Sequence, residues 1–232
     1  KTIESAGGLD RLMPHVKTHR APWLIADMVS QGVSAFKTAT PAETEICAEN
    51  GAKEVFWAYP SMNAPSIDRV IDLAEKHRGV RVVGLVDSMA GISLWEKRLE
   101  AKGLSKGTVT LRVDLDPGMG RTGFHMDSAA AAAAQRLIEA GLFGGWHIYD
   151  GHVHDLEPAV RERRVNEIAE QAKGLFAEVH GEGQPYDVIA GGSYTFNLWA
   201  RLDGYRVSPG SWTYSSAQHA AELPEFGWKN AA

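Results

Sequence analysis

The sequence predicts a closed (β/α)8 barrel of the TIM type, on three observations. Eight short β-rich runs alternate with amphipathic stretches along nearly the whole chain, and a helical pattern follows each of the first seven. That alternation implies parallel strands joined by right-handed crossovers, and eight strands close such a sheet on itself. The length of 232 residues suits one barrel, which typically takes ~200–250. The competing arrangement is an open doubly wound sheet. It commonly carries a Gly-x-Gly-x-x-Gly turn after its first strand, and this sequence has none there.

The strand-like runs are 12–18, 35–40, 54–59, 80–86, 109–115, 145–150, 187–190 and 205–208. The clearest helix is 65–77, where Ile67, Val70, Ile71 and Ala74 form a stripe opposite Asp68, Arg69, Asp72, Glu75 and Lys76. Ser88 and Ser128 open two more, and Pro158 stands near the start of a charged helix reaching about His180. Gly32, Gly51, Gly79, Gly103, Gly141 and Gly183 fall where helices should stop. The alanine run 129–134 reads as ordinary helix.

Lys and Arg number 24 against 29 Asp and Glu, a net charge of −5, with no basic run. That balance argues against nucleic acid and anionic membrane as partners. Hydrophobic residues at 44% and charged residues at 23% lie near globular averages, which excludes wholesale disorder. No apolar run approaches the ~18 residues of a membrane span. The one cysteine, Cys47, excludes an internal disulfide and a Cys-rich metal site, and reads as a small buried apolar residue. With one cysteine, a reducing cytoplasm is the expected setting, and residues 1–10 show no apolar signal core. Those residues look like the tail of a helix already under way, so both ends are expected to be cut from something longer.

Chemistry in such a barrel belongs at the C-terminal ends of the strands, and the unusual residues fall there. The first run carries Pro14-His15-Val16-Lys17-Thr18-His19, and strand alternation puts His15, Lys17 and His19 on one face. A lysine aimed into a barrel, desolvated beside other cations, suits an amine nucleophile or Schiff base. The alternative is a lysine that snorkels to water from a strand end. The fifth run ends in Asp116-Pro117-Gly118-Met119-Gly120-Arg121-Thr122-Gly123, a loop that admits a ligand close to its backbone and offers it a guanidinium. The sixth gives Tyr149-Asp150-Gly151-His152-Val153-His154, and the seventh Gly191-Gly192-Ser193-Tyr194 running into a helical pattern at 197–202. Paired glycines and hydroxyls opening a helix make an anion nest, at the usual phosphate position of these barrels. The eighth gives Ser208-Pro209-Gly210-Ser211-Trp212. A buried lysine and a phosphate nest in one mouth together suggest pyridoxal 5'-phosphate.

These motifs, in this order, resemble the D-threonine aldolase / D-serine dehydratase family, built on the alanine racemase-like barrel of fold type III pyridoxal phosphate enzymes. The resemblance implies that Lys17 carries the cofactor as a Schiff base and that Arg121 faces its phenolic oxygen. It implies that Tyr149 lies against the pyridine ring and that Gly191, Gly192 and Ser193, with Tyr194 and Gly210 beside them, hold the phosphate. His15 and His152 are expected near the cofactor, His152 with a catalytic part. Ser208 stands where alanine racemases keep an arginine on the pyridine nitrogen; a hydroxyl supplies no cation, which disfavours simple racemisation. The implied function is a lyase acting on D-β-hydroxy amino acids, by retro-aldol cleavage or by ammonia elimination. The family implies a divalent metal, Mn or Zn, on a second β-rich domain, with ligands outside this sequence, and a possible homodimer. Residues 1–216 are then the barrel, and 217–232 the start of a connection to that domain.

Two other readings stand beside this one. A barrel of this length also suits a non-catalytic pyridoxal phosphate carrier. His152 and His154, two apart, also suit a metal-dependent barrel hydrolase, although no carboxylate cluster accompanies them in the sequence. Trp57, Trp95, Trp146, Trp199, Trp212 and Trp228 read mostly as packing, with Trp212 a candidate for the mouth.

Overall fold

The computed structural model describes residues 1–104 and 107–229. Seven parallel strands follow one another around the sheet in chain order: β1 (Ala35–Thr38), β2 (Glu54–Trp57), β3 (Arg81–Val86), β4 (Thr110–Leu115), β5 (Phe143–Ile148), β6 (Val188–Ala190) and β7 (Tyr205–Val207). Residues 11–15 complete the circle as an eighth stave. Met13 N–H donates to Val207 O at 2.9 Å and Val207 N–H to Arg11 O at 2.8 Å. On the other side Lys37 N–H donates to Pro14 O at 3.0 Å.

The expected strand 12–18 is therefore a correction. Only the bridges Leu12–Val207 and His15–Lys37 form, and the chain then tightens into a 3-10 turn at Val16–Thr18. Pro14 has no N–H to give a ladder, and His15 Nδ1 accepts the Lys17 N–H at 3.4 Å, which turns the backbone out of extension.

Helices separate the strands: α1 (Thr2–Ser5) before the first stave, α2 (Pro22–Ser30), α3 (Pro41–Glu49), α4 (Ala64–Lys76), α5 (Met89–Ala101), α6 (Ser128–Ala140), α7 (Pro158–His180), α8 (Phe196–Trp199) and α9 (Ala217–Glu222). Their starts follow local chemistry: Thr40, Asn63, Ser88 and Asp127 side chains each accept an N–H of the first turn. Gly141 ends α6 in the left-handed conformation, as expected. Two of the other stops differ. His77 rather than Gly79 follows α4, and Gly181 rather than Gly183 caps α7. Of the expected connection 217–232, residues 230–232 lie outside the described residues. The earlier part packs back on the barrel helices, with the Phe226 and Phe196 rings 4.9 Å apart.

Strand alternation divides the interior into two cores. Val55, Trp57, Val82, Val86, Val113, Trp146, Ile148 and Val207 point outward to the helices. Met13, Ala35, Phe56, Ala58, Val83, Leu85 and Ile189 form a separate plug inside the cylinder. Charge fills the two ends of that plug. At the N-terminal end Arg112 pairs with Asp187 and Arg206 with Glu54, Arg112 being fully buried. At the C-terminal end stand Lys37, Asp114, His147 and Ser208, all buried. No helix among the described residues is long and apolar enough to cross a membrane.

Candidate active site

Lys17 enters the barrel mouth from the 3-10 turn rather than from a strand. Its Nζ lies 5.9 Å from the centre of the Tyr149 ring. His15, Lys17, Lys37, Ala58, Tyr59, Arg121, His147 and Tyr149 line one small cavity of about 10 Å³, room for about one water. His19, expected on the same face, turns away: its ring meets Tyr214 edge-on at 6.4 Å. His15 stays, buried, and burial first, with the Lys37 and Lys17 charges next, holds its imidazole far below the usual value.

Sequence reasoning missed the floor of this mouth. Lys37, on β1, is 3% exposed, and its Nζ meets His147 Nε2 at 2.8 Å and Ser208 Oγ at 3.0 Å. His147 Nδ1 donates to Asp114 Oδ1 at 2.6 Å. Ser208, which stands where alanine racemases keep an arginine on the cofactor's ring nitrogen, is 4% exposed, accepts from Lys37 Nζ and donates to the Gly191 carbonyl. Burial first, then the Lys17 charge, brings the Lys37 amine down to about 7.

The loop after β4 delivers Arg121. Asp116 Oδ1 accepts the N–H groups of Gly118 and Gly120, each at 3.0 Å, so the carboxylate folds the loop around itself. Gly123 closes it with φ +110°; a Cβ there would stand 2.6 Å from Asp116 N. The Arg121 guanidinium carbon then lies 4.7 Å from the Tyr149 ring centre. Burial raises the Tyr149 phenol, against the lowering charge of Arg121, and so keeps it protonated.

The turn after β6 borders the same ring. Gly191 N–H belongs to the ladder, donating to Ile148 O at 3.2 Å, and Gly192 N–H donates to Thr195 Oγ1 at 3.2 Å. Those two glycines therefore contribute room rather than free amides. A Cβ on Gly191 would stand 2.7 Å from Trp199, and one on Gly192 would stand 3.2 Å from Tyr149. The backbone N–H groups of Ser193, Tyr194 and Gly210 have no hydrogen-bond partner among the described residues. Ser193 Oγ accepts Ser211 N–H at 3.2 Å, which ties this turn to the one after β7. Beside Gly210, the buried Trp212 Nε1 is also unpartnered. Buried Asp150 anchors the cradle, accepting from Thr195 Oγ1 at 2.9 Å and Trp199 Nε1 at 2.7 Å.

His152 lies beside the Asp116–Gly123 loop, its Nε2 3.8 Å from where a Gly118 Cβ would be, and its buried Nδ1 has no partner. His154 packs against Tyr194, ring centres 6.2 Å apart. Among the described residues no group of three or more His, Cys, Asp or Glu side chains is placed to hold a metal, so these two histidines gather no further ligands. A larger groove of about 740 Å³ runs along the end of α7 by Tyr186 and Gly204. Those residues precede β6 and β7, so it lies at the other end of the barrel from this chemistry.

The convergent set is thus an amine, an aromatic face, a guanidinium and free backbone donors at the strand C-termini. No curated protein matches the sequence. Among solved structures, D-threonine aldolase from Filomicrobium marinum superposes with a TM-score of 0.86 at 21% identity, over 99% of this chain and 62% of that one. D-threo-3-hydroxyaspartate dehydratase from Delftia sp. HT23 gives 0.76 at 23% identity, over 92% and 56%. Alanine racemase from Clostridium difficile 630 gives 0.68 at 13% identity, over 89% and 56%. The chain therefore spans less than two thirds of the length of these structures. Residues 1–217 match the family described as "Alanine racemase, N-terminal domain". With that match and a barrel of the same architecture, the chain belongs to the alanine racemase N-terminal domain family.

Proposed function

We propose that this barrel binds pyridoxal phosphate covalently at Lys17 and serves a lyase acting on D-β-hydroxy amino acids. The supporting observation is the convergence on Tyr149: Lys17 Nζ at 5.9 Å and Arg121 at 4.7 Å from its ring centre, with the unpartnered amides of Ser193 and Tyr194 adjoining Gly192 beside the same ring. An amine, a flat face, a cation and anion-binding donors fit an aromatic aldehyde that carries a phosphate. When bound, that cofactor supplies an electron sink for the bonds at a substrate's α-carbon.

The protein's part is orientation and electrostatics. Lys17 offers the amine that holds the aldehyde and, once displaced by substrate, remains at hand as a base. Tyr149 presents its ring face, Arg121 a permanent donor, and Ser193, Tyr194 and Gly210 their amides. Ser208 contributes a hydroxyl held between Lys37 Nζ and the Gly191 carbonyl, in the place where the racemase motif has an arginine. The similarity in fold to D-threonine aldolase and D-threo-3-hydroxyaspartate dehydratase supports the same substrate class. A divalent metal, Mn or Zn, belongs to this reading.

The test is borohydride trapping of the protein loaded with pyridoxal phosphate, followed by peptide mapping. The label is expected on Lys17, and Lys17→Ala is expected to lose both label and near-visible absorbance. A band that survives in Lys17→Ala would overturn the assignment. Glycine release from D-threonine and ammonia release from D-serine, assayed with and without Mn or Zn, separate aldolase from dehydratase. Absence of both would favour the carrier.

A further inference from the structure

The hydrogen bonds around Lys37 run in one direction, and counting protons along them defines what its nitrogen has left. Both oxygens of Asp114 accept, Oδ1 from His147 Nδ1 at 2.6 Å and Oδ2 from Thr122 Oγ1 at 2.8 Å. The His147 ring hydrogen is therefore on Nδ1, and Nε2 is an acceptor. Burial first, then the Lys37 charge, lowers that imidazole to about 4, so it is neutral in neutral water. Lys37 Nζ gives one N–H to His147 Nε2 and a second to Ser208 Oγ; the Ser208 hydroxyl in turn donates to Gly191 O at 3.1 Å. A neutral amine has two N–H bonds and one lone pair. Both N–H bonds are spent, which leaves the lone pair, and Lys37 lines the cavity it shares with Lys17 and Tyr149, whose ring centre is 5.5 Å from its Nζ.

We propose that Lys37 is a second acid–base group of this site, taking one proton from, or returning it to, a ligand held at Lys17. The inference rests on the reading of Lys17 as the cofactor lysine. On uptake, a bond from hydrogen to the ligand breaks and its electron pair stays on the ligand. The new N–H forms on Lys37, which becomes an ammonium facing the Asp114 charge through His147. On return the same bonds exchange in reverse.

The surroundings set the switch near neutrality. Burial is the largest influence on Lys37 and lowers it; the Lys17 and Arg121 charges lower it too, while Asp114 and Asp150 raise it. His15, His147, Tyr59 and Tyr149 are the other titratable groups that line the cavity. Among the described residues, Lys37 is the one lysine in the buried interior. A desolvated amine with its donors committed and one position open is a poised acid–base group, whereas a lysine kept for packing has no need of an oriented chain behind it.

The experiment has two arms. In the unloaded protein labelled with 15N-lysine, one Nζ signal is expected to titrate near pH 7 and to vanish in Lys37→Met. In the protein loaded with pyridoxal phosphate, cofactor absorbance is expected to show an inflection near pH 7 that Lys37→Met loses. Asp114→Asn, which removes a raising charge, should move that inflection to lower pH. Borohydride mapping of the same samples checks that Lys17 carries the label. A lysine signal titrating only above about pH 9, the ordinary range, overturns the proposal. So does an inflection that persists in Lys37→Met while Lys17 is labelled. Missing label on Lys17 sinks the parent reading instead, and the unloaded titration then decides Lys37 by itself. A Lys37 that merely supports the barrel would change the melting temperature and leave the spectral titration where it was.

Discussion

The guanidinium of Arg121 covers the Tyr149 ring, its central carbon 4.7 Å from the ring centre, although Arg121 sits on a loop and Tyr149 follows a strand. At an exposed arginine such a contact contributes about 0.5–1 kcal/mol, so Arg121→Ala should lower the melting temperature little. Cofactor retention should suffer far more. Loss of a hydrogen bond to a charged group costs about 1.5–3 kcal/mol, or roughly 10–100-fold in the pyridoxal phosphate Kd. A fluorescence titration measures it, and an unchanged Kd would remove Arg121 from the site.

Gly123→Ala should displace the same guanidinium from a distance. The added Cβ would meet Asp116 N at 2.6 Å and Leu115 C at 2.8 Å, both backbone atoms, at φ +110°. Backbone cannot yield as a side chain does, so the expected cost is about 1–3 kcal/mol in urea denaturation, with weakened cofactor binding. Wild-type stability and wild-type affinity in this variant would show that the loop is not what aims Arg121.

At the opposite end of the barrel, Arg206 and Glu54 couple stability to pH. Burial alone would raise the Glu54 carboxyl; the hydrogen bonds and charge of Arg206, with the Arg81 and Arg112 charges, outweigh it and leave the group lowered. A carboxyl lowered by folding stabilises above its ordinary value of 4.5, and loses that contribution as pH falls through the folded value. Arg206→Met should therefore cost roughly 3 kcal/mol at pH 7 and progressively less toward pH 3. Urea midpoints measured across that range would sink the account if the difference stayed constant.

Seven of the eight strand positions were legible because outward residues of a parallel sheet are apolar and helices punctuate them with caps. The first stave was not, since Pro14 and the His15 side chain convert an apparent strand into two bridges and a turn. The expectation for Lys17 still places it by Tyr149, but on a different backbone. Lys37, Asp114 and His147 escaped notice although a signal was present. Each is flanked by outward apolar neighbours: Phe36 beside Lys37, Val113 and Leu115 around Asp114, Trp146 and Ile148 around His147. In a barrel that pattern sends the polar residue inward. The use of the Gly191 and Gly192 amides within the fold was illegible, because which N–H groups are consumed depends on the Thr195 hydroxyl and the ladder partner.

The cylinder is closed along a seam quite unlike its other junctions. Between β7 and β1 stands a stave of bridges and a proline, while the remaining neighbours are joined by strand ladders, the β4–β5 ladder shifting register once between Leu111 and Arg112. Lys17 rides just past the end of that stave. The amine is thus carried by the sparsely paired stave, whereas Lys37 belongs to a full strand of the sheet, so the two lysines of the mouth are held by different kinds of backbone.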